Sequence, residues 1–564
     1  MKKVFYPDYF NDVFGPIMQP GSSGGFAGTD RVARQARHAL GSELKRAEIL
    51  FNPSDKRLVS LGTWWEDYAY LGGLLDYDTE NIRLFCSHQD MRDKGISYRF
   101  AELEKDSPYA ESTTFKLTGA NGEKATLIGS SIGGGMIDVY EINGFKIGWR
   151  GDTYATLIWK IDSNGNIADL SLENVEKVFS DTFGNDGVLI KRVTNALSNV
   201  GLWVELSREL GAEDIYEFLD NLGLINGKVS EEGLFFSDIN NDGNILFRNF
   251  PCILPVVTKA DRKPQLFSTV TEWKEIAKRE NKSFIDVAIQ YEKDFSGWSE
   301  EEIRARFELI ADILYKQVHG LEDRNYEVDE VPELPIYGKS WKRYIDDKKE
   351  LSDNLTKEII TRALSTNAKI PGVKIVPGPM GTGGGYLFSA VDAVREKKGY
   401  SKDDVINGLI VAAGFGAIAY TRSNPSGERG CVGESGVCAA MAAAAVTAMA
   451  GGSADEIENA ASMALQASFG ITCDAIPGGK EFPCITRTVR AAVTAPLYAD
   501  LALSGIDPLI PYHEVIDAME VHYRRTPQRY LCGTDCALCQ TPAAGECLKF
   551  MAGDVMADRI EYNV

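Results

Sequence analysis

Histidine is scarce in this chain. Five occur among 564 residues, and none falls in a motif. His38 lies on a predicted helix, His88 follows Cys86, His319 ends a helix, and His513 and His522 flank a short acidic stretch. Each reads as a satisfied or exposed imidazole, which leaves little room for histidine-led chemistry. Positive charge is also short: the net charge is -21, so a nucleic-acid partner is not expected. No uncharged run is apolar enough for a membrane span. The nearest, VCAAMAAAAVTAMAGG, is mostly alanine and reads as a buried helix. The opening MKKVFYPDYFNDVFG is basic but lacks an apolar stretch of signal-peptide length, so a cytoplasmic location is expected. Ten cysteines without an export signal point to a reducing compartment, and to metal or redox use rather than disulfides.

Three of those cysteines stand out. Cys431 in ERGCVGESG, Cys473 in GITCDAIPGG and Cys484 in KEFPCITR lie beside glycine or proline rather than in a regular apolar pattern. Three thiolates can hold an iron–sulfur cluster and leave one iron open to a substrate. Buried small residues are the competing reading. A second group, CGTDCALCQTPAAGEC, holds Cys532, Cys536, Cys539 and Cys547. Such density argues for metal. The C-x3-C-x2-C spacing within it matches radical-SAM enzymes, but about 25 residues follow Cys539, too few for the barrel those enzymes need. Cys86, Cys252 and Cys438 read as core residues.

The pattern divides the chain into four parts. Residues 1–150 are an α+β domain, with DRVARQARHALG as an amphipathic helix and ATLIGSSIGGGMIDVYEINGFKIGW as strand, glycine turn, strand. Residues 151–265 read as a small α/β module, possible in a regulatory role. DINNDGN within it resembles the start of a calcium loop but lacks the closing glutamate and reads as an Asx turn. Residues 266–505 are helical, opening with VTEWKEIAKRENKSFIDVAIQYEKDF and SEEEIRARFELIADILYKQVHGL, whose helices have acidic starts. Residues 321–350 inside it are charged and proline-bearing, and read as a loop or insertion. Residues 506–564 form a Cys-rich tail.

Several side chains near the three cysteines can meet an anionic substrate. The glycine loop from Gly378 to Gly385, with Gly381, Thr382 and Gly383, can turn backbone N–H groups toward a carboxylate. A glycine-rich helix junction is the alternative. Ser423, Asn424 and Ser426 precede Cys431 and can contact substrate or simply form a turn. Lys480 can act as a base if its pKa is lowered, or pair with Glu481 in solvent. Arg487 can grip a carboxylate or lie on a helix surface.

FNDVFGPIMQPGSSGGFAGTDRVARQAR, TWWEDYAYLGGLLDYD, GPMGTGGGYLFSAV, SNPSGERGCVGESGVCAAMAAAA and ENAASMALQASFGITCDAIPGGKEFPCITR together resemble the iron–sulfur-dependent L-serine dehydratases, or L-serine ammonia-lyases, with β and α regions fused in one chain. The resemblance implies a [4Fe–4S] cluster held by Cys431, Cys473 and Cys484 in a mostly helical catalytic domain. It implies an oxygen-sensitive lyase that removes water and ammonia from a small polar amino acid, and a homodimer. It places Ser22 and Ser23 in the substrate loop, and Lys480 and Ser426 in the catalytic region. Some members have a terminal cysteine that reaches the open iron; here Cys536 or Cys539 is expected to take that part, with a separate zinc or Fe–S site as the rival. Cysteine desulfidation is the alternative reaction, and a non-catalytic cluster that senses iron or oxygen is the alternative class.

The departures from the family pattern fall near the substrate. Gly24 and Gly25 replace the His-Thr that follows the two serines. Thr63, Trp64, Trp65 and Glu66 occupy the place of a His-Gly-Thr-Asp stretch. Met380 and Gly381 alter the glycine loop, and Thr486 and Thr488 alter the stretch after Cys484. They imply a reshaped substrate shell around a retained cluster.

Overall fold

The computed structural model describes residues 7–55, 57–62, 65–161, 171–197, 199–229, 235–238, 244–320, 337–348, 350–367, 371–379, 383–425, 429–474, 476, 482–527, 536–550 and 559–563. It has an N-terminal α/β region and a mostly helical C-terminal region.

Alternating apolar residues build the first sheet. Its strands are β1 (Leu44–Phe51), β2 (Ser97–Glu102), β3 (Thr113–Gly119), β4 (Lys124–Ser131), β5 (Ile137–Ile142) and β6 (Phe145–Trp149). In Ala47, Ile49 and Phe51, or Ala125 and Leu127, every second side chain is buried, the period of a sheet with one covered face. Helices α1 (Thr29–His38), α2 (Arg57–Ser60), α3 (Glu66–Leu74) and α4 (Ser87–Asp93) accompany it. Gly73 lets α1 and α3 close up: a Cβ there would stand 2.3 Å from the carbonyl oxygen of Asp30.

Residues 151–265 form a second sheet with strands β7 (Tyr154–Ile161), β8 (Gly187–Thr194), β9 (Val200–Leu206), β10 (Ile225–Val229), β11 (Phe235–Asp238) and β12 (Asn244–Phe250), plus helices α5 (Leu172–Phe183) and α6 (Ala212–Asn221). Its order is β10-β11-β12-β7-β9-β8. Without the β10–β11 hairpin this is a βαββαβ unit. Ile158, Leu202 and Val204 pack with α5 and α6. The alternate residues Leu157, Trp203 and Phe250 join the core of the first sheet instead. The second sheet is therefore covered on both faces, one of them by its neighbour. Residues 239–243 of the calcium-loop resemblance lie outside the described residues.

The helical region contains α7 (Val270–Glu280), α8 (Phe284–Ser296), α9 (Glu300–His319), α10 (Gly338–Asp346), α11 (Asn354–Asn367), α12 (Gly383–Lys398), α13 (Lys402–Arg422), α14 (Val437–Met449), α15 (Ala454–Gln466), α16 (Cys484–Leu503), α17 (Tyr512–Arg525) and α18 (Pro542–Phe550). Three consecutive helices open with reciprocal capping boxes, Thr269 with Glu272, Ser283 with Asp286 and Ser299 with Glu302. Helix α10 falls within the stretch expected to be a loop. Its Trp341 indole donates to Thr361 of α11 at 2.9 Å, so a packing contact outweighs the local charge.

Two stretches, Lys402–Arg422 and Val432–Met449, are long and apolar enough to cross a membrane, unlike the expectation that no run would be; most of each is buried inside the protein. They pack against each other through glycine and alanine. The first residues of the chain join this core as well: Tyr9, Phe10, Val13 and Phe14 are buried among the helices. Finally, a short strand β13 (Glu561–Tyr562) pairs antiparallel with β2, the edge of the first sheet.

Candidate functional site

Cys431 and Cys473 are buried and Cys484 is half-buried; none of the three is in a disulfide. Their segments are laced together. The N–H of Val432, next to Cys431, donates to the carbonyl of Ile471 at 3.2 Å. Gly430 has φ +85°, and a Cβ there would meet that same carbonyl oxygen at 2.7 Å, so the close approach requires glycine. From the first turn of α16, Arg487 donates to the carbonyl of Thr472 at 2.7 Å and pairs with Asp474. One arginine thus ties the Cys484 helix to the Cys473 loop.

Arg487 was expected to grip a substrate carboxylate. Its guanidinium already has Asp474, and its charge is favoured further when Cys431 and Cys484 are thiolates. Burial pushes the Cys431 thiol up, and Glu434 adds to the rise, while Ser435 and Arg487 oppose it. Among the described residues, no three His, Cys, Asp or Glu side chains stand at metal-binding spacing. The donor chemistry nevertheless suits a thiolate-held cluster: three thiols on loops rich in glycine and proline, close to one cation.

The other expected residues fall in several places. Gly383 opens α12, and its carbonyl accepts from the Cys438 thiol at 3.3 Å, one helix along from Cys431. Gly381, Thr382, Ser426 and Lys480 lie outside the described residues. The Ser423 hydroxyl donates to Glu520 at 2.9 Å, and Arg429 binds the same carboxylate. That pairing makes Ser423 a pin for the loop before Cys431. Asn424 is half-buried in that loop.

The tail cysteines differ from expectation. Cys536 and Cys539 are joined as a disulfide. A bonded pair has no thiolate to offer a metal, so neither is a ligand in this state. Cys532 lies outside the described residues, whereas Cys547 on α18 is a half-buried thiol. Cys547 acts electrostatically on Tyr337, whose ring stands edge-on to Phe482 at 5.1 Å, beside Pro483 and Cys484. Helix α18 therefore sits near the third cysteine.

The N-terminal region supplies a second wall. The Ser22 side chain accepts from the N–H of Gly25 at 3.0 Å, and Ser23 is buried. This loop rests on the glycine turn after β4, where Ser131 donates to the carbonyl of Gly24 at 2.8 Å. Gly134 in that turn approaches Tyr420 of α13: a Cβ there would lie 3.4 Å from the phenol oxygen. Burial pushes the Tyr420 phenol up, with Asp12 and Glu434 adding to the shift. Glu434 is three residues from Cys431, so contacts run from the N-terminal loops to the cysteine segment.

Glu66, at the start of α3, is a group that the sequence reading missed. It lies against the serine loop, where a Cβ on Gly25 would sit 2.7 Å from its Oε1. Its Oε2 is inaccessible and has no hydrogen-bond partner. Burial raises its carboxyl to about 7, against the pull of Arg57. A glutamate opening a helix is ordinary in sequence. The signal available was its place in the stretch where the family pattern has His-Gly-Thr-Asp.

The family model Serine dehydratase alpha chain matches residues 265–536. The probable L-serine dehydratase beta chain of Bacillus subtilis (strain 168) is 34% identical over 183 residues, covering 32% of this chain and 80% of that protein. This chain belongs to the serine dehydratase family. The family's alpha chain from Peptoniphilus asaccharolyticus is 28% identical over 259 residues, 45% of this chain and 87% of its own length. The probable alpha chain of Bacillus subtilis (strain 168) is 29% identical over 297 residues, 52% of this chain and 98% of its own. Alpha-like and beta-like regions of serine dehydratases are thus fused here, in an enzyme that resembles the L-serine ammonia-lyases.

Proposed function

We propose that this enzyme is an iron–sulfur-dependent lyase that eliminates water from L-serine or a closely similar β-hydroxy amino acid, giving a 2-oxo acid and ammonia. The observation that carries the reading is the lacing of the three cysteine segments by the Val432–Ile471 bond and by Arg487. Cys431, Cys473 and Cys484 would hold a [4Fe–4S] cluster. When bound, a cluster with one iron free of cysteine supplies a Lewis acid for a hydroxyl leaving group.

The chain's own residues do the rest. Glu66 takes the α-proton; the electron pair of the broken Cα–H bond forms the Cα–Cβ double bond as the Cβ–O bond breaks, and the leaving hydroxide takes the proton back from the Glu66 carboxyl to depart as water. The aminoacrylate so formed tautomerises to an imine, and its hydrolysis yields the 2-oxo acid and ammonia. A carboxyl poised near neutrality suits proton abstraction at physiological pH. The glycine loop at Gly383 offers backbone N–H groups to the substrate carboxylate, and the Ser22–Gly28 loop closes the opposite side. Lys480 is the rival base. Gly24, Gly25 and Trp65 in place of the family's motif residues support a preference that departs from serine itself.

The test uses the full chain purified and assayed under argon. Iron and sulfide content should fall sharply on changing Cys431, Cys473 or Cys484 to serine. Keto-acid release should follow from L-serine, L-threonine, L-cysteine or a β-substituted dicarboxylate. Glu66→Gln is expected to lower kcat by about 10²–10⁴ with iron retained; if Lys480→Met does so instead, Lys480 is the base. Full iron retention in all three cysteine variants would end the cluster assignment. Sulfide released faster from cysteine than keto acid from serine would favour a desulfidase.

A further inference from the structure

Glu66 depends on its neighbours to face the serine loop. It opens α3 directly after Trp65, whose φ of 59° and ψ of 29° place a bulky residue in the left-handed region. That conformation costs free energy for a residue with a Cβ, and it persists where the surroundings hold it. On the upstream side the Trp65 ring is buried and stands edge-on to Phe85 at 5.2 Å. On the downstream side the hold falls to Asp67, the residue after Glu66.

Asp67 is fully buried and is gripped by one oxygen. Its Oδ2 lies 2.8 Å from His88 Nε2, and it accepts from Arg559 Nε at 2.7 Å and from a terminal nitrogen of the same guanidinium. Among the described residues its Oδ1 has no partner. An ionised carboxylate only accepts, so His88 Nε2 carries the proton; in the neutral ring Nδ1 then accepts from the Tyr98 hydroxyl at 2.8 Å. Burial works against the Asp67 carboxylate, but the His88 bond and Arg559 outweigh it and hold its pKa below the usual value. The guanidinium also covers the Tyr68 ring, 4.7 Å from its centre. This cation comes from the far end of the chain. The N–H of Phe100 donates to the Ile560 carbonyl at 2.9 Å, and Tyr562 of β13 pairs with Tyr98 of β2. One strand therefore gives Tyr98 to His88 and docks the segment that gives Arg559 to Asp67.

We propose that Arg559 is a positioning residue for the elimination: through Asp67 it fixes the first turn of α3 and so aims Glu66 at the substrate. The assignment rests on Glu66 as the base, the reading given above. Arg559 takes no proton itself. Its guanidinium has a second effect, because it answers the charge of Asp67 beside Glu66. Burial raises the Glu66 carboxyl, and Asp67 adds to the rise against the pull of Arg57 in α2. The other titrating groups around it are Tyr70, one turn further along α3, and Asp55 and Glu111, which act on Arg57. Uncovering the Asp67 charge therefore makes the Glu66 proton harder to remove.

Anaerobic kinetics on the full chain, with iron measured in each preparation, test the proposal. Arg559→Met should lower kcat about tenfold to a hundredfold, the cost of a slightly misplaced base, with KM and iron content unchanged. The acid limb of kcat/KM against pH should move up, and adding Asp67→Asn should bring it back down. Arg559→Lys should keep part of the rate, and free guanidinium ion should restore part of it to Arg559→Ala. In a Glu66→Gln chain, Arg559→Met should cost nothing further, because the group it acts through is already gone. Should Arg559→Met fail to fold, Asp67→Asn alone takes its place; kcat should fall and the acid limb should move down. Unchanged kcat, a fall in kcat with the limb in place and no rescue, or a further loss on top of Glu66→Gln would overturn the proposal. A Glu66→Gln chain of full activity would remove the base assignment first, which separates the two failures.

Discussion

Two helix pairs in this enzyme are closed by glycine yet carry opposite contents. In the pair α13 and α14, Gly414 lies under the Trp273 ring and Gly416 against Val13. The buried residues there are aliphatic, aromatic, glycine, alanine, two methionines, one threonine and one cysteine; no carboxylate or base is among them. In the pair α1 and α3, Asp30, Arg31, Gln35 and Asp67 are buried. Neither oxygen of Asp30 has a partner. Each unsatisfied buried polar group costs about 1–3 kcal/mol. The first pair is a frame that fixes Cys431 at its end. The second retains costly ionisable groups beside the loop and the glutamate proposed to meet substrate. Stability is concentrated in one pair and responsiveness in the other.

The largest effect should come from breaking the frame. Trp273 is fully buried, stacks on Phe267 and Phe284, and covers Gly414. Trp273→Ala is expected to cost about 3–5 kcal/mol in urea unfolding. That loss should be the same at pH 5 and pH 8, because the indole stacks on phenylalanines and its N–H donates to the Phe284 carbonyl.

The charged pair should show the opposite behaviour. Burial holds the Asp30 carboxyl well above its usual value of 3.8. A raised acid gives its full contribution below the unfolded pKa and loses it as pH climbs through the folded one. Asp8, raised to about 6, and Glu66, raised to about 7, have the same sign. Stability should therefore decline from about pH 4 upward. In Asp30→Asn the slope of that decline should lessen. An unchanged slope in a series of melting curves would show that Asp30 is ionised in the folded enzyme.

The smallest effect serves as a control on both. Ser299 accepts from the N–H of Glu302 at 3.2 Å at the exposed start of α9. Ser299→Ala should cost about 1 kcal/mol and leave turnover unchanged. A loss of activity there would mean that the two pairs are not separable from the rest of the helical region.

What was legible in sequence follows from range. The cysteines announced themselves through adjacent glycine and proline, and the capped helices from residue 270 through serine or threonine followed by an acid. The strand–turn–strand around Gly133–Gly135 was readable for the same local reason. Glu66 was not, since its environment depends on Gly25 forty residues away. The bond that Ser423 makes was not legible, because its partner, Glu520, lies almost a hundred residues downstream. The disulfide at Cys536 and Cys539 went against an argument from composition, which carries no geometry.

The pairing of β13 with β2 has a consequence for synthesis. Until residues 561 and 562 emerge, β2 is an open edge whose backbone groups can recruit a strand from another chain. Arg559, paired with buried Asp67 beside His88, arrives only then as well. More than four hundred residues separate the two strands, on the order of tens of seconds at ribosomal speed. During that interval the backbone groups on the open side of β2 are exposed to pairing with other chains. A ribosome stalled before residue 559 would leave an aggregation-prone fragment, although every other strand of its first sheet had already been made.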